Sequence, residues 1–371
     1  MISLDEVKAA FDAGDYREAT KLLKILLKDS PDNPWVQFYV GKLYEVTDKL
    51  EAAEKVYRKL LSQGRNPKVV SLAREGLKRV EMIPKERRQA AIARAKEDPS
   101  QLLPGLLVLE PIDPELKTQA AQSFARIMQL DPYSARLLLP TRSWRMYRTG
   151  VIGELRVFVD ELRKANIPAF CATIEQINRI RVFRTSYFQS ISPQATVVCQ
   201  NEMNQVGQIS FNWSEVTQLV SGLLPIFEEV GVQNHRRTRT NYKQKISNYV
   251  GVCDLHLPQR GCILRLCQDS YEFQQGFDFT PEANQPAKGL TPKIEKFSTQ
   301  LKWQNMLKIL KEKLPLIACW SDFTAFAETT LQELDMLDRI TSHIDLLREV
   351  PTNWDPAFQV YSGLVFLRPN L

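Results

Sequence analysis

Phe11-Asp12-Ala13-Gly14-Asp15-Tyr16-Arg17-Glu18-Ala19, continued by Leu23, Leu26 and Pro31, is answered by a second run further along the chain. That run is Val40-Gly41-Lys42-Leu43-Tyr44, then Leu50-Glu51-Ala52-Ala53, Tyr57 and Leu60. At an offset of 34 residues Ala19 falls on Ala53, Leu23 on Tyr57, Leu26 on Leu60, Tyr16 on Leu50 and Gly14 on Asp48. Self-similarity at a fixed period of this size marks stacked supersecondary units, each unable to bury its apolar side alone. Within each copy the apolar positions recur at helical spacing, so the unit is a pair of helices.

The small, aromatic and proline positions of the two copies resemble the tetratricopeptide repeat. Trp35 stands two places before that family's usual tryptophan, and Arg65 stands where a proline is usual. Gly41 and Ala53 are small because paired helices cross closely there, and Tyr44 and Tyr57 fill the gap to neighbouring hairpins. A further amphipathic helix from Lys68 to Val80 carries Arg74-Glu75 and Lys78-Arg79 on its outer side and reads as a solubilising cap. The resemblance implies a protein- or peptide-docking surface on the first helix of each hairpin. Its inner face carries Lys8, Phe11 and Asp12 in copy one and Phe38, Lys42 and Glu45 in copy two. Lys8 and Lys42 occupy the same repeat position, so two ammonium groups could face one groove. A solvated helix face is the alternative for these lysines.

The chain is expected to be α+β: helical hairpins of tetratricopeptide type, then a mixed α/β body and a helical C-terminal region. The helical repeat domain spans 1–83 and is ended by Pro84, and a polar, exposed linker helix occupies 84–104. From 105 to 192 short apolar runs alternate with amphipathic helices, an α/β subdomain of ferredoxin-like type. A β-rich subdomain with one helix follows at 193–280. Its hairpins are Thr196–Cys199 with Gln208–Trp213, and Tyr249–Leu257 with Ile263–Cys267, and its helix is Ser214–Glu229. Three prolines mark a linker at 281–295. The mainly helical region 296–371 holds helices over Leu301–Leu314 and Thr324–Leu347, and the apolar stretch Leu364–Leu367 returns to a sheet.

Outside the repeats, the segment Asn234-His-Arg-Arg-Thr-Arg-Thr-Asn-Tyr-Lys-Gln-Lys245 has no acidic residue between Glu229 and Asp254. The planar guanidinium forks of Arg236, Arg237 and Arg239 suit carboxylate or phosphate, Lys243 and Lys245 add charge, and Tyr242 could stack on a base. Three readings stand: a solvated loop between a helix and a strand, a grip on an acidic protein surface, and binding of nucleic acid or a phosphate-bearing nucleotide. Further basic groups lie at Arg142, Trp144, Arg145, Tyr147 and Arg148, and at Arg179, Arg181 and Arg184. Asp278-Phe-Thr and Asp322-Phe-Thr read as helix caps.

The chain has 371 residues, 44% hydrophobic and 25% charged, with a formal net charge of +6. That is the composition of ordinary globular protein, long enough for two or three domains. Six cysteines without a Cys-x-x-Cys pair and three scattered histidines offer no zinc-ligand spacing, and the thiols are expected to be buried and reduced. In strand phase Cys253 and His256 fall on opposite faces. The acidic, amphipathic opening residues and the lack of an apolar run of ~20 residues point to a cytoplasmic protein without a membrane span. No phosphate-binding glycine loop or nucleophile elbow occurs. The expectation is a non-enzymatic adaptor, scaffold, assembly factor or regulatory protein without cofactor or metal.

Overall fold

The computed structural model describes residues 3–64, 66–233, 240–280, 299–344, 346, 348 and 352–368, with the backbone alone at 229–233 and 240–244. It forms two compact units, 1–95 and 96–371.

The first unit holds α1 (Leu4–Asp12), α2 (Tyr16–Asp29), α3 (Pro34–Val46), α4 (Leu50–Gln63) and α5 (Pro67–Ala95). Ser3, Asp15 and Asn33 cap α1, α2 and α3 with their side-chain oxygens, and Pro34 takes the first turn of α3, where its missing N–H is harmless. The two hairpins and the following helix are those read from the sequence. The expected break at Pro84 is not there. Pro84 lies inside α5, which continues to Ala95, so the boundary expected after 83 falls after 95 and no separate linker helix exists. A proline removes one backbone donor and kinks a helix, but packing of the rest can hold it together. Arg88, four residues beyond Pro84, is buried, and Arg87 pairs with Asp48 at 2.8 Å.

The second unit begins with β1 (Pro104–Leu109), α6 (Lys117–Met128), α7 (Pro132–Leu138), β2 (Arg145–Val151), α8 (Ile152–Lys164) and β3 (Ala169–Thr173). These strands make one three-stranded antiparallel sheet in the order β2-β1-β3. Next come α9 (Ile174–Asn178), β4 (Arg181–Ser190), β5 (Ala195–Gln200), β6 (Val206–Phe211), β7 (Gln218–Gln233), β8 (Thr240–Leu257) and β9 (Cys262–Cys267). The chain ends with α10 (Thr299–Lys313), β10 (Ala318–Trp320), α11 (Phe323–Thr330), α12 (Leu334–Leu337) and α13 (Trp354–Leu367). A seven-stranded mixed sheet has the order β10-β7-β8-β9-β4-β5-β6.

The ferredoxin-like subdomain expected at 105–192 is corrected by this topology: its fourth strand, β4, leaves for the larger sheet, where it pairs with β5 and β9. The divisions at 192 and 280 likewise vanish, because one unit spans 96–371. The linker expected at 281–295 lies outside the described residues.

The helix expected at 214–229 is strand β7, preceded by a short turn in which Asn212 and Glu215 bond reciprocally. Pro225 would break a helix, and Gly222 sits where a Cβ would lie 2.7 Å from Phe323 and 2.9 Å from Phe358, an approach that a flat strand permits. The apolar 364–367 is not a strand but the end of α13, buried from Ala357 to Val365. A helix apolar on every side belongs in an interior, and a four-residue apolar run cannot distinguish the two states. The long helix expected over 324–347 is broken into α11 and α12.

The sandwich follows from strand alternation. One face of the large sheet, with Val220, Leu224 and Val252, packs on α11 and α13, whose other side meets Leu106, Val108, Met146 and Phe170 of the small sheet. The opposite face, with Leu219, Cys253, Leu255 and Leu264, packs on Trp303, Met306 and Leu310 of α10. Among the described residues no helix is long and apolar enough to cross a membrane.

Candidate functional site

In the first unit Tyr57 is the keystone. Its ring is clasped between Gly41 of α3 and Gly76 of α5, where added Cβ atoms would lie 2.6 and 2.5 Å from ring carbons. The phenol donates to Glu45 Oε2 at 2.8 Å, and Arg79 donates to both Glu45 oxygens at 2.7 and 3.2 Å. Burial first, then the bond to Glu45, raises the Tyr57 phenol well above its usual pKa. Glu45, expected to face a partner, is thereby held by its own unit. Phe11 and Phe38 are buried in the helical core, and the Lys42 ammonium lies 5.0 Å over the Phe11 ring. Lys8 and Asp12 are exposed. Of the six inner-face residues, these two stand outermost.

In the second unit the basic segment changes character. It is not a loop between a helix and a strand, because β7 and β8 pair from Gln218↔His256 out to Gln233↔Thr240. The neighbouring strands stop early: β10 pairs only to Val220, and β9 only to Val252. Among the described residues, β7 and β8 therefore continue past the sheet as a two-stranded ribbon, roughly 30 Å long at the usual rise per residue. Arg236, Arg237 and Arg239 lie outside the described residues. The backbones of Tyr242 and Lys243 pair with Gly231 and Val230, and exposed Lys245 sits opposite Glu228.

The other arginine groups fall on different elements of the second unit. Trp144 is buried, with ring centroids 4.9 Å from Phe170 and 4.8 Å from Trp320, and the Arg148 guanidinium covers Phe158 at 5.1 Å. Arg179 pairs with Glu175, Arg181 bonds the Arg260 carbonyl, and Arg184 bonds Asn204. Arg142, Arg145 and Arg148 belong to the small-sheet side, and Arg181 and Arg184 to the large sheet. Asp278 accepts from Thr280 rather than capping a helix, and Asp322 precedes α11 without a side-chain cap bond.

The sequence reading missed a polar seam beneath α13. Asp254 and His256 of β8 point to the α13 face while Cys253 points to the α10 face, as strand phase requires. Arg265 of β9 donates to both Asp254 oxygens at 2.9 and 2.6 Å, and its guanidinium lies 5.0 Å from the Phe358 ring. Ser362 donates to Asp254 Oδ2 at 2.6 Å, and its oxygen lies 2.9 Å from His256 Nε2. A hydroxyl has one proton, so His256 Nε2–H must donate to Ser362, leaving Nδ1 bare, buried and unpartnered. Burial pushes His256 down to about 4, ahead of Asp254, which raises it, and Arg265, which lowers it. The trio has a hydrolase's residue types in the opposite polarity: a nucleophilic serine needs its proton aimed at imidazole, with the carboxylate on the other ring nitrogen. All of Asp254, His256, Arg265 and Ser362 are 0–1% exposed. The visible signal was a pair of polar residues alternating with Cys253, Leu255 and Leu257.

Cys171 is half-buried and Cys319 exposed, which corrects the expectation of buried thiols for those two, while Cys199, Cys253, Cys262 and Cys267 are buried. Burial raises Cys199 to about 11. Among the described residues no cluster of three His, Cys, Asp or Glu could hold a metal ion.

Two antiparallel helix pairs, with an aromatic ring seated on glycines of the adjoining helices, define the first unit as a helical repeat. The family model for the tetratricopeptide repeat matches residues 10–76, from α1 into α5. No curated protein and no solved structure matches the chain.

Proposed function

We propose that the protein is a non-enzymatic, cytoplasmic adaptor or assembly and regulatory factor that docks a protein partner through its repeat unit and engages an acidic partner through its basic α/β body. The tetratricopeptide-repeat segment carries the reading, since such arrays hold proteins or peptides. The inverted polarity and burial of the Ser362, His256 and Asp254 trio support a non-enzymatic role. Lys8 and Asp12 are the exposed inner-face residues through which the partner is read.

Capture of binding proteins on immobilised full-length chain tests this, against chain carrying Lys8→Glu and Asp12→Lys. Loss of specific partners with the variant is expected. An unchanged set of bound proteins, also after removal of residues 1–95, would sink the docking role.

A second reading, nucleic-acid binding through 234–245, is favoured by the ribbon itself, because a two-stranded β-ribbon fits the major groove of a duplex. Binding of that kind weakens steeply with salt through counterion release. A gel-shift series with duplex and single-stranded probes at low and moderate salt separates the two. The expected result under the adaptor reading is no retardation even at low salt.

A further inference from the structure

We infer that β6 is a self-association edge, pairing antiparallel with β6 of a second copy so that the seven-stranded sheets continue across a twofold axis. The inference goes beyond the adaptor reading and rests on how each outer strand is protected. Exposed sheet edges invite pairing and are ordinarily blunted by charge, proline, bulges, shortness or cover. β10 has three residues. On β2 the Met146 N–H donates to Thr329 Oγ1 at 3.2 Å, and Arg145 and Arg148 add charge. On β3 the Ala169 carbonyl accepts from Arg163 Nε at 2.8 Å.

Among the described residues β6 has none of these devices. Val206-Gly207-Gln208-Ile209-Ser210-Phe211 holds no charged residue and no proline, and it pairs with β5 in unbroken register over all six residues. Its outer edge has no strand neighbour among the described residues. Val206 is 66% exposed.

The strand is also complementary to itself. Ile209 and Phe211 pack toward the α10 side, whereas Val206, Gln208 and Ser210 face the other way. Directly opposed residues must share a face, and a closed twofold pairing is isologous. Centring the pair on Gln208 satisfies both. Gln208 then meets the second copy's Gln208, Val206 meets Ser210, and Ile209 meets Gly207. Nothing lies within 4 Å of a Cβ built on Gly207, so there is room for the opposing isoleucine, twice per dimer. No like charges meet anywhere along the pair.

Sedimentation equilibrium of the full chain over the micromolar range tests this. A concentration-dependent dimer is expected. Gln208→Lys sets two ammonium groups across the axis and weakens dimerisation by about tenfold or more. Val206→Lys, at an exposed site, does the same should the first variant lose its far-UV circular dichroism. In a Cys319→Ser background, Gln208→Cys cross-links two chains on oxidation and Thr196→Cys, one strand inward, does not. A chain monomeric throughout the range, or a dimer insensitive to both lysines, overturns the inference.

Discussion

Gly41 and Gly76 touch opposite sides of the Tyr57 ring, so adding one methyl at either position forces overlap with rigid aromatic carbons. Gly41→Ala and Gly76→Ala are each expected to destabilise the helical unit by about 1–3 kcal/mol, read as a lower denaturant midpoint of the helical far-UV signal. In the second unit Arg265 and Asp254 neutralise one another in a buried interior. Removing one partner strands a buried charge, and Arg265→Met is expected to cost about 3–5 kcal/mol. The double change Asp254→Leu with Arg265→Met should cost less than either alone, a comparison made by urea unfolding. His256 and His343 are both lowered to about 4 from 6.5, chiefly by burial. For His343 the Arg265 and Arg184 charges add to the lowering and Asp254 opposes it, while Glu202 Oε1 lies 3.8 Å from its Nε2. A folded pKa below the unfolded one means that the unfolded ring binds more protons between those values. Stability from these rings is therefore intact above pH 6.5 and lost as pH falls toward 4. Urea midpoints at pH 7, 5.5 and 4.5 should fall in that order, with a shallower slope in His256→Phe. The residue types of the seam were legible in β8, but which lone pairs found partners was not, since Ser362 arrives from far along the chain.

Elements were legible where periodicity was unambiguous. The 34-residue period and the apolar spacing marked the first four helices, and the turn at Pro258-Gln259-Arg260-Gly261 marked the β8–β9 hairpin. They were misread where local preference and tertiary packing disagree. Pro84 is a strong stop signal, yet α5 runs through it. Replacing Pro84 with Ala restores a donor to the helix ladder without disturbing the buried residues around it. A gain of about 1–3 kcal/mol in the stability of the helical unit is expected, checked by thermal unfolding at 222 nm. Leu219, Leu223, Leu224 and Phe227 look helical in spacing, but β7 is covered on both faces near its start, so it lacks the simple alternation that identifies a strand. With β7 extended, residues 240–245 of the basic segment pair along a two-stranded ribbon, which shapes any partner that they could meet.

At the scale of the molecule, the two units have separate cores: Tyr57 and its neighbours in one, the two layers around α13 and α10 in the other. Residues 96–371 expressed alone are expected to fold, judged by sharp near-UV circular dichroism from Trp144 and Trp303 and a cooperative urea transition. A molten spectrum would show that the core of the second unit is incomplete. The repeat module was written in the sequence itself, because a 34-residue period depends on contacts between neighbours and leaves a local trace. The second unit left no such trace. β1, β7 and α13 are brought together from sequence positions more than a hundred residues apart, and the burial of α13 between two sheets exists only once both have formed. Tertiary structure alone decided that Phe11 and Phe38 belong to the interior of their unit, that Glu45 is held by Tyr57 and Arg79, that Ser362 gives its proton to Asp254, and that β6 ends the large sheet among the described residues. Each depends on which groups meet across the fold, and no short window of residues contains both partners.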